Sequence, residues 1–385
     1  VGFVWHRAAR VFDGQGARIW PAAFGPPAVI VERPSGAALA RAFGAGVFRI
    51  GGDGPPPEEG FQTLTAGSSG APRRVARSHA SWARSFAVNA GLFGIGPGVQ
   101  VAVLGRLVQS LSLYGAVEAV GLGADLHLLD DLRPAAQVAA LAERRVAVLY
   151  AAPVHLRLLA EAGGVVPDLR LVVVGGAKLD AGLRAGLSDL GPRARICEFY
   201  GAAETSFITL AYADCPPGSV GRAYPGVILA VVAGEIRVRS PYLFTGYAGA
   251  PGPAVWHGDW LSVGEMGRLE DGCLYLSGRA GRMVTVAGQN VFPEAIEAFL
   301  AGLPGVRQVA VLPRPDPLRG AVLVAVVQGD AGVEAALLEA ARGRFGAMAA
   351  PRAVVWRTDW PVLPSGKTDL RALTRDSGGG GWPPS

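Results

Sequence analysis

The stretch "VQVAVLGRLVQSLSLYGAVEAVGLGADLHLL", residues 99–129, decides the fold class. It opens with a short β-branched apolar run, "VQVAVL", and closes with a second, "ADLHLL". Between them "SLSLYGAVEAVG" is Ala/Leu-rich with helical period. Two buried strands separated by a helix read as a crossover unit, and such units build a parallel sheet.

Working outward, the same alternation runs from about residue 27 to 200. "AVIV" (28–31), "VAVLYA" (146–151) and "LRLVVVGG" (169–176) continue the strands. "HASWARSFAVNAGL", "PAAQVAALAERR" and "PVHLRLLAEAG" continue the helices. From about 218 to 277 the pattern changes to strands and turns, as in "VILAVVAGEIRVRS" and "GCLYLSGR". After "GRAGR" (278–282) a smaller unit begins, with helices at "PEAIEAFLAGL" and 333–345 and strands at "QVAVLPRPD", "AVLVAVVQG" and "RAVVWR". The expected architecture is α/β. A large N-terminal α/β domain with a mostly parallel sheet covers 1–280, including a β-rich subdomain at 217–277. A small, mobile α+β domain follows at 281–375, and 376–385 form a low-complexity, disordered tail.

Composition narrows the class. Half of the 385 residues are apolar, enough for a sizeable core, and 55 Gly with 29 Pro imply many tight turns. A net charge of +5 without a run of five Lys/Arg gives no signature of nucleic-acid binding. No apolar run approaches membrane-spanning length, and "VGFVWHRAAR" lacks the apolar core of a signal peptide. Three cysteines without a CxxC pair suit a reducing compartment. A cytoplasmic protein, bound to neither membrane nor nucleic acid, is expected.

The chemistry concentrates in "FQTLTAGSSGAPRRVARSH" (61–79), where Gly67, Ser68, Ser69 and Gly70 are followed by Arg73, Arg74 and Arg77. Glycines let backbone N–H groups close on an anion, and the hydroxyls and cations add donors. Known nucleotide loops fail on spacing. In "PVLPSGKT" Pro361 occupies the Walker glycine, and no GxGxxG occurs near Gly121 and Gly123. A GxSxG nucleophile elbow is missed because Ala71 follows Gly70.

Four further stretches follow in order: "EFYGAAETS" (198–206), "SVGEMGRLEDGCLYLSGRAGRM" (262–283), "VAGQNVFPEAIE" (286–297) and "LPSGKTDLRAL" (363–373). Together the five resemble the adenylate-forming superfamily: acyl-CoA synthetases, peptide-synthetase adenylation domains and luciferases. The family's TSGTTGxPKG is similar to TAGSSGAPRR at 65–74, and its YGxTE to Tyr200–Glu204. Its TGD is similar to Val263-Gly264-Glu265, its GRxxD to Gly278–Arg282, and its PxxxxGK to the turn ending in Lys367. The resemblance covers about residues 62 to 375.

That resemblance implies ATP-dependent conversion of a carboxylic acid to an acyl-adenylate with pyrophosphate release. Transfer to a thiol follows, either CoA or a phosphopantetheinyl carrier protein. Thr65, Gly67, Ser68, Ser69, Gly70 and Arg73 would hold ATP phosphates, and Gly176 and Gly201 would also belong to the ATP/AMP site. Tyr200 would stack on adenine, with a core tyrosine as the bland alternative. Glu265 would accept the ribose hydroxyls, and Arg279 would complete the ribose and phosphate contacts. Glu204 would serve Mg²⁺ at the triphosphate, since a carboxylate is a hard ligand. Lys367 would bridge the attacking carboxylate and the α-phosphate as the small domain closes. These two carry the expected catalytic roles.

The implied acyl pocket comprises Gln109, Tyr150, Ala151, His155, Gly175, Ala177 and Ala202. His155 and Lys178 either bind a second polar group on the acid or lie on solvent-facing turns. The chain departs from the family at Arg73 and Arg74, which stand for Lys and Gly, and at Gln109, which stands for a histidine. The hinge position, usually Asp or Lys, is Arg282. Only about sixty residues precede the glycine loop, so a reduced N-terminal subdomain is expected, with a possible homodimer covering it. Two other classes compete. One is a catalytically impaired relative acting as a binding or scaffold module. The other is a serine hydrolase using Ser69, disfavoured because Pro72 and a basic run follow where a helix must start.

Overall fold

A computed structural model describes residues 2–65, 73–179, 181–249, 251–363 and 367–376. Six strands form the parallel heart of its largest sheet: Arg10–Phe12, Asp125–Leu128, Gln100–Val103, Val148–Ala151, Leu171–Val174 and Arg195–Ala202. Val148–Ala151 and Leu171–Val174 are buried at every position. Burial on both faces is why these strands read as unbroken apolar runs rather than as alternation.

Successive residues on these strands serve two cores. Val101, Val103, Val148, Tyr150, Leu171 and Val173 pack with Phe86 of the helix His79–Phe93 and with Leu113 and Val117 of Ser110–Gly121. Ala102, Leu149, Val172 and Val174 face the other way, toward Leu141, Leu156, Leu159, Leu183 and Leu187. Those leucines lie on the helices Pro134–Glu143, Pro153–Ala162 and Ala181–Leu190. Helices on both faces of a parallel sheet make this an α/β fold. The sheet continues with antiparallel strands, among them Ser206–Ala211, Cys273–Arg279 and Glu265–Glu270.

The sequence reading overlooked a second, five-stranded sheet. Its order is Gly246–Ala248, Arg74–Arg77, Phe61–Leu64, Phe48–Ile50, Ala28–Ile30. Ala28–Ile30 falls in the expected strand at 28–31, whereas polar residues interrupt the strands at 61–64 and 74–77 and hide them. Phe61–Leu64 and Arg74–Arg77 pair antiparallel with Leu64 opposite Arg74, so the glycine/hydroxyl loop joins two adjacent strands.

Beyond residue 283 the strands form separate sheets. Val284–Val286 pairs Gln289–Val291, and Val306–Asp316, Gly320–Gly329 and Ala353–Trp356 make a three-stranded sheet. Ile296 and Leu300 of Pro293–Leu300 and Leu337 and Ala341 of Glu334–Ala349 cover it in a core of their own. Within the latter helix Gly346 has φ 80°, which ends the regular part near the expected residue 345. A last helix, Leu370–Asp376, takes in the first residue of the expected tail; residues 377–385 lie outside the described ones. Among the described residues no helix is long and apolar enough to cross a membrane.

Candidate active site

Four chain segments converge where the two strand systems and the small unit meet. The first is the base of the glycine/hydroxyl loop. Thr65 N–H donates to Arg73 O at 2.8 Å, and Arg73 N–H donates to Thr65 Oγ1 at 2.9 Å. Gly67, Ser68, Ser69 and Gly70 lie outside the described residues. A bridge between Leu64 and Gln109 sets the start of helix Ser110–Gly121 beside this loop. The Thr63 and Ser110 hydroxyls meet at 2.7 Å below it.

The second segment ends the last parallel strand. Register shifts between Tyr200 and Gly201, where the chain swings into the turn that carries Glu204. A Cβ at Gly201 would collide with Ser206 O, so the turn requires glycine there. Ala202 N–H donates to Thr205 Oγ1 at 3.0 Å and fixes the turn. The Tyr200 ring is partly buried against the core, and its hydroxyl has no hydrogen-bond partner among the described residues. Burial, then the neighbouring Glu265 charge, push that hydroxyl's pKa well up. Glu204 is 7% exposed; its Oε1 accepts from Tyr247 Oη at 2.8 Å.

The third segment is the antiparallel pair Glu265–Glu270 and Cys273–Arg279, with Glu265 opposite Arg279. Arg279 Nε donates to Glu265 Oε1 at 2.8 Å, so the expected ribose acceptor is already engaged by a cation. The fourth is the turn before Lys367. Leu363 N–H donates to Lys367 O at 2.7 Å, Asp369 N–H to Pro361 O at 2.9 Å, and Trp360 Nε1 to Thr368 Oγ1 at 3.0 Å. The Lys367 ammonium is held below the usual lysine range by burial first and by the Arg279 charge second. Glu265 and Glu204 oppose that shift, so the lysine, Tyr200, Glu204, Glu265 and Arg279 share one electrostatic neighbourhood.

The residues implied for an acyl pocket divide. Gln109, His155 and Ala202 are partly exposed, and Gly176, Ala177 and Lys178 are exposed. Burial depresses the His155 imidazole pKa, and His155 Nδ1 has no partner among the described residues. Tyr150 and Ala151 are buried instead. The Tyr150 ring lies on Gly115, and its hydroxyl donates to Glu118 Oε2. Gly175 is buried beneath the Phe199 ring. Tyr114 Oη and Asn89 Nδ2 also donate to Glu118, at 2.9 and 2.8 Å, and burial raises this carboxyl's pKa to about 7.

Arg282 is bound within the small unit. It donates to both Glu297 oxygens at 3.1 and 2.8 Å and to Val311 O at 3.2 Å, with Glu294 3.5 Å away. Among the described residues no cluster of three His, Cys, Asp or Glu side chains could hold a metal alone. A single hard carboxylate, Glu204, with one oxygen engaged by Tyr247, fits Mg²⁺, which takes one or two carboxylates and completes its shell with water and phosphate oxygens.

Comparison with known proteins meets this geometry. The family model for the AMP-binding enzyme matches residues 61–248, and that for the AMP-binding enzyme C-terminal domain matches 295–367. The uncharacterized acyl–CoA ligase YhfT of Bacillus subtilis is 32% identical over 81% of this chain and 67% of its own length. The chain belongs to the AMP-binding enzyme family. A second relative of this AMP-binding enzyme is the putative long chain fatty acid-CoA ligase VraA of Staphylococcus epidermidis, 27% identical over 69% of the chain and 60% of its own. The chain therefore spans about two thirds of the length of these relatives. ATP-bound MatB from Rhodopseudomonas palustris shares the fold, with a TM-score of 0.72, 24% identity, and coverage of 90% of this chain and 78% of that one.

Sequence reasoning singled out the converging residues but missed two that hold them, Arg77 and Tyr247. Arg77 stood inside the quoted basic run and read as one more cation. A charged residue between Ala76 and a helix-capping Ser78 was the available signal.

Proposed function

We propose that this protein activates a carboxylic acid with ATP, releasing pyrophosphate, and hands the resulting acyl group to a thiol. The observation that carries the reading is Lys367. A lysine from a turn of the small unit is half-buried within electrostatic reach of Glu204, Glu265 and Arg279, which all belong to the large one. Convergence of donors from separate elements on one point is what in-line displacement at phosphorus needs, because its catalysis is positioning and charge neutralisation.

In the proposed first step the acid's carboxylate oxygen forms a bond to the α-phosphorus, and the bond to the β-phosphate oxygen breaks. Pyrophosphate leaves with that electron pair. Lys367 offsets charge at the α-phosphate and orients the attacking carboxylate. Tyr200 supplies a flat face for adenine, and the Glu265–Arg279 pair supplies an acceptor and donors for ribose and phosphate. Mg²⁺, when bound, neutralises charge on the β- and γ-phosphates, and Glu204 would hold it. Gln109 and His155 border the side from which the acid would enter. In the second step a thiolate attacks the acyl carbon and AMP leaves; the ligase names of YhfT and VraA favour CoA as that thiol.

The test is a screen for ATP–pyrophosphate exchange over aliphatic, aryl and amino acids, with and without CoA. Acid-dependent exchange supports the reading. ATP binding without exchange for any acid would favour a binding or scaffold role, to which the substitutions Arg73, Arg74 and Arg282 lend weight.

A further inference from the structure

Arg77 ends the strand Arg74–Arg77 and is 1% exposed. Its guanidinium donates to Ala203 O and Tyr242 O, to Ser206 Oγ at 2.6 Å and to Ser81 Oγ at 3.3 Å. All four partners are neutral. A buried cation without a bonded carboxylate is expensive to keep, which asks what its charge is for. Two of its partners, Ala203 and Ser206, flank Glu204 in the same turn. Glu204 also acts on the guanidinium through space, supporting its charge against burial.

The neighbouring strand grips the turn as well. Gly246–Ala248 pairs antiparallel with Arg74–Arg77, Tyr247 opposite Val75. Tyr247 Oη donates to Glu204 Oε1 at 2.8 Å, and Phe244 N–H donates to Glu204 O at 2.8 Å. The strand that bears Arg77 leads directly out of the glycine/hydroxyl loop. One side of the five-stranded sheet thus carries both Arg73, at the base of that loop, and the contacts to the Glu204 turn.

We infer that Arg77 and Tyr247 are positioning residues for the metal: together they fix the Glu204 carboxylate at a set place relative to the paired strands Arg74–Arg77 and Gly246–Ala248. The inference rests on the reading of Glu204 as the magnesium ligand. Arg77 holds the Ala203 carbonyl before Glu204 and the Ser206 hydroxyl after it, and supplies positive charge to the Glu204 carboxylate. Tyr247 occupies one carboxylate oxygen and leaves the other for a metal.

The test measures binding apart from turnover. Mn²⁺ binding in the presence of ATP is followed by electron paramagnetic resonance, and ATP binding by calorimetry in Mg²⁺ and in EDTA. Tyr247→Phe is expected to raise the Mn²⁺ dissociation constant about tenfold and Arg77→Met by up to about a hundredfold. ATP affinity in EDTA stays at the wild-type value in both, and Arg77→Lys recovers part of the loss. Equal weakening of ATP with and without metal would reduce Arg77 and Tyr247 to scaffolding and overturn the inference, as would unchanged Mn²⁺ binding. Tyr247→Phe removes one oxygen and keeps the ring against Phe244, 5.1 Å away, so it carries the test if Arg77→Met fails to fold. Glu204→Gln separates the two readings. Unchanged Mn²⁺ binding in that variant overturns the role of Glu204 itself, whereas a loss there alone overturns only the positioning roles.

Discussion

Glu265 and Arg279 face each other across adjacent antiparallel strands and close an ion pair of 2.8 Å at the rim of the site. The carboxylate is the less exposed partner, at 13% against 39%. On the proposed function, nucleotide would therefore meet a preformed acceptor–donor pair rather than two free side chains.

Glu265→Gln keeps the shape and removes the charge that orients Arg279. The expected result is a higher apparent ATP constant with a smaller change in maximal exchange rate, because ribose contacts serve ground and transition states alike. Steady-state ATP–pyrophosphate exchange checks it. A fall in maximal rate at unchanged ATP constant would place the pair at the reacting phosphorus instead.

Lys367→Ala is expected to lower adenylation by about 10²–10³-fold, the scale for deleting one preorganised donor. ATP affinity changes far less, and thiol transfer from supplied acyl-adenylate is spared, since no pyrophosphate leaves in that step. Single-turnover measurements of each half-reaction decide this. The lowered lysine pKa adds a pH signature. The active ammonium is lost as pH rises through a value below that of free lysine, so the alkaline limb of the adenylation profile belongs to Lys367 and vanishes in the variant.

Glu118 carries a stability prediction. Its folded pKa of about 7 lies above the unfolded 4.5. Between those values the folded state binds more protons, so stability falls as pH rises through about 4.5 to 7 and is level above. Glu118→Gln lacks this slope. Its stability relative to wild type should improve from pH 4.5 to pH 8 by on the order of 3 kcal/mol. Urea unfolding at the two pH values measures it, and parallel curves for the two proteins would refute it.

Arg282→Ala leaves Glu297 with Val311 N–H, at 2.7 Å, as its remaining partner. The expected loss is about 1–3 kcal/mol for a charge-assisted, partly buried contact. Arg282→Asp is worse, because it sets a third carboxylate beside Glu294 and Glu297. Limited proteolysis and thermal melts of the two variants rank them; an Asp variant as stable as wild type would show that the contacts around Arg282 carry little stability.

The parallel strands and their helices were legible because burial on both faces leaves a plain apolar record, as at 148–151 and 171–174. The short strands around the glycine/hydroxyl loop were not, because the polar Thr63 and Arg77 occupy buried positions where alternation calls for an apolar residue. Motif order singles out Tyr200, Glu204, Glu265, Arg279 and Lys367, and the structure gathers them into one electrostatic neighbourhood. Tyr150 read as a pocket residue, yet its ring packs on Gly115 and its hydroxyl turns to Glu118, because a partner thirty-two residues earlier is invisible in a local pattern. Arg77 and Tyr247 were missed for the same reason.

Three of the four partners of Arg77 lie 126, 129 and 165 residues further along the chain. Contacts at such separation form only after very long segments have closed, so the Glu204 turn is expected to assemble late in folding. Interactions absent from the transition state govern the unfolding rate rather than the refolding rate. On the proposed function, metal-bound nucleotide would therefore act as a brake on unfolding: it would prolong the life of a folded molecule without hastening the birth of a new one.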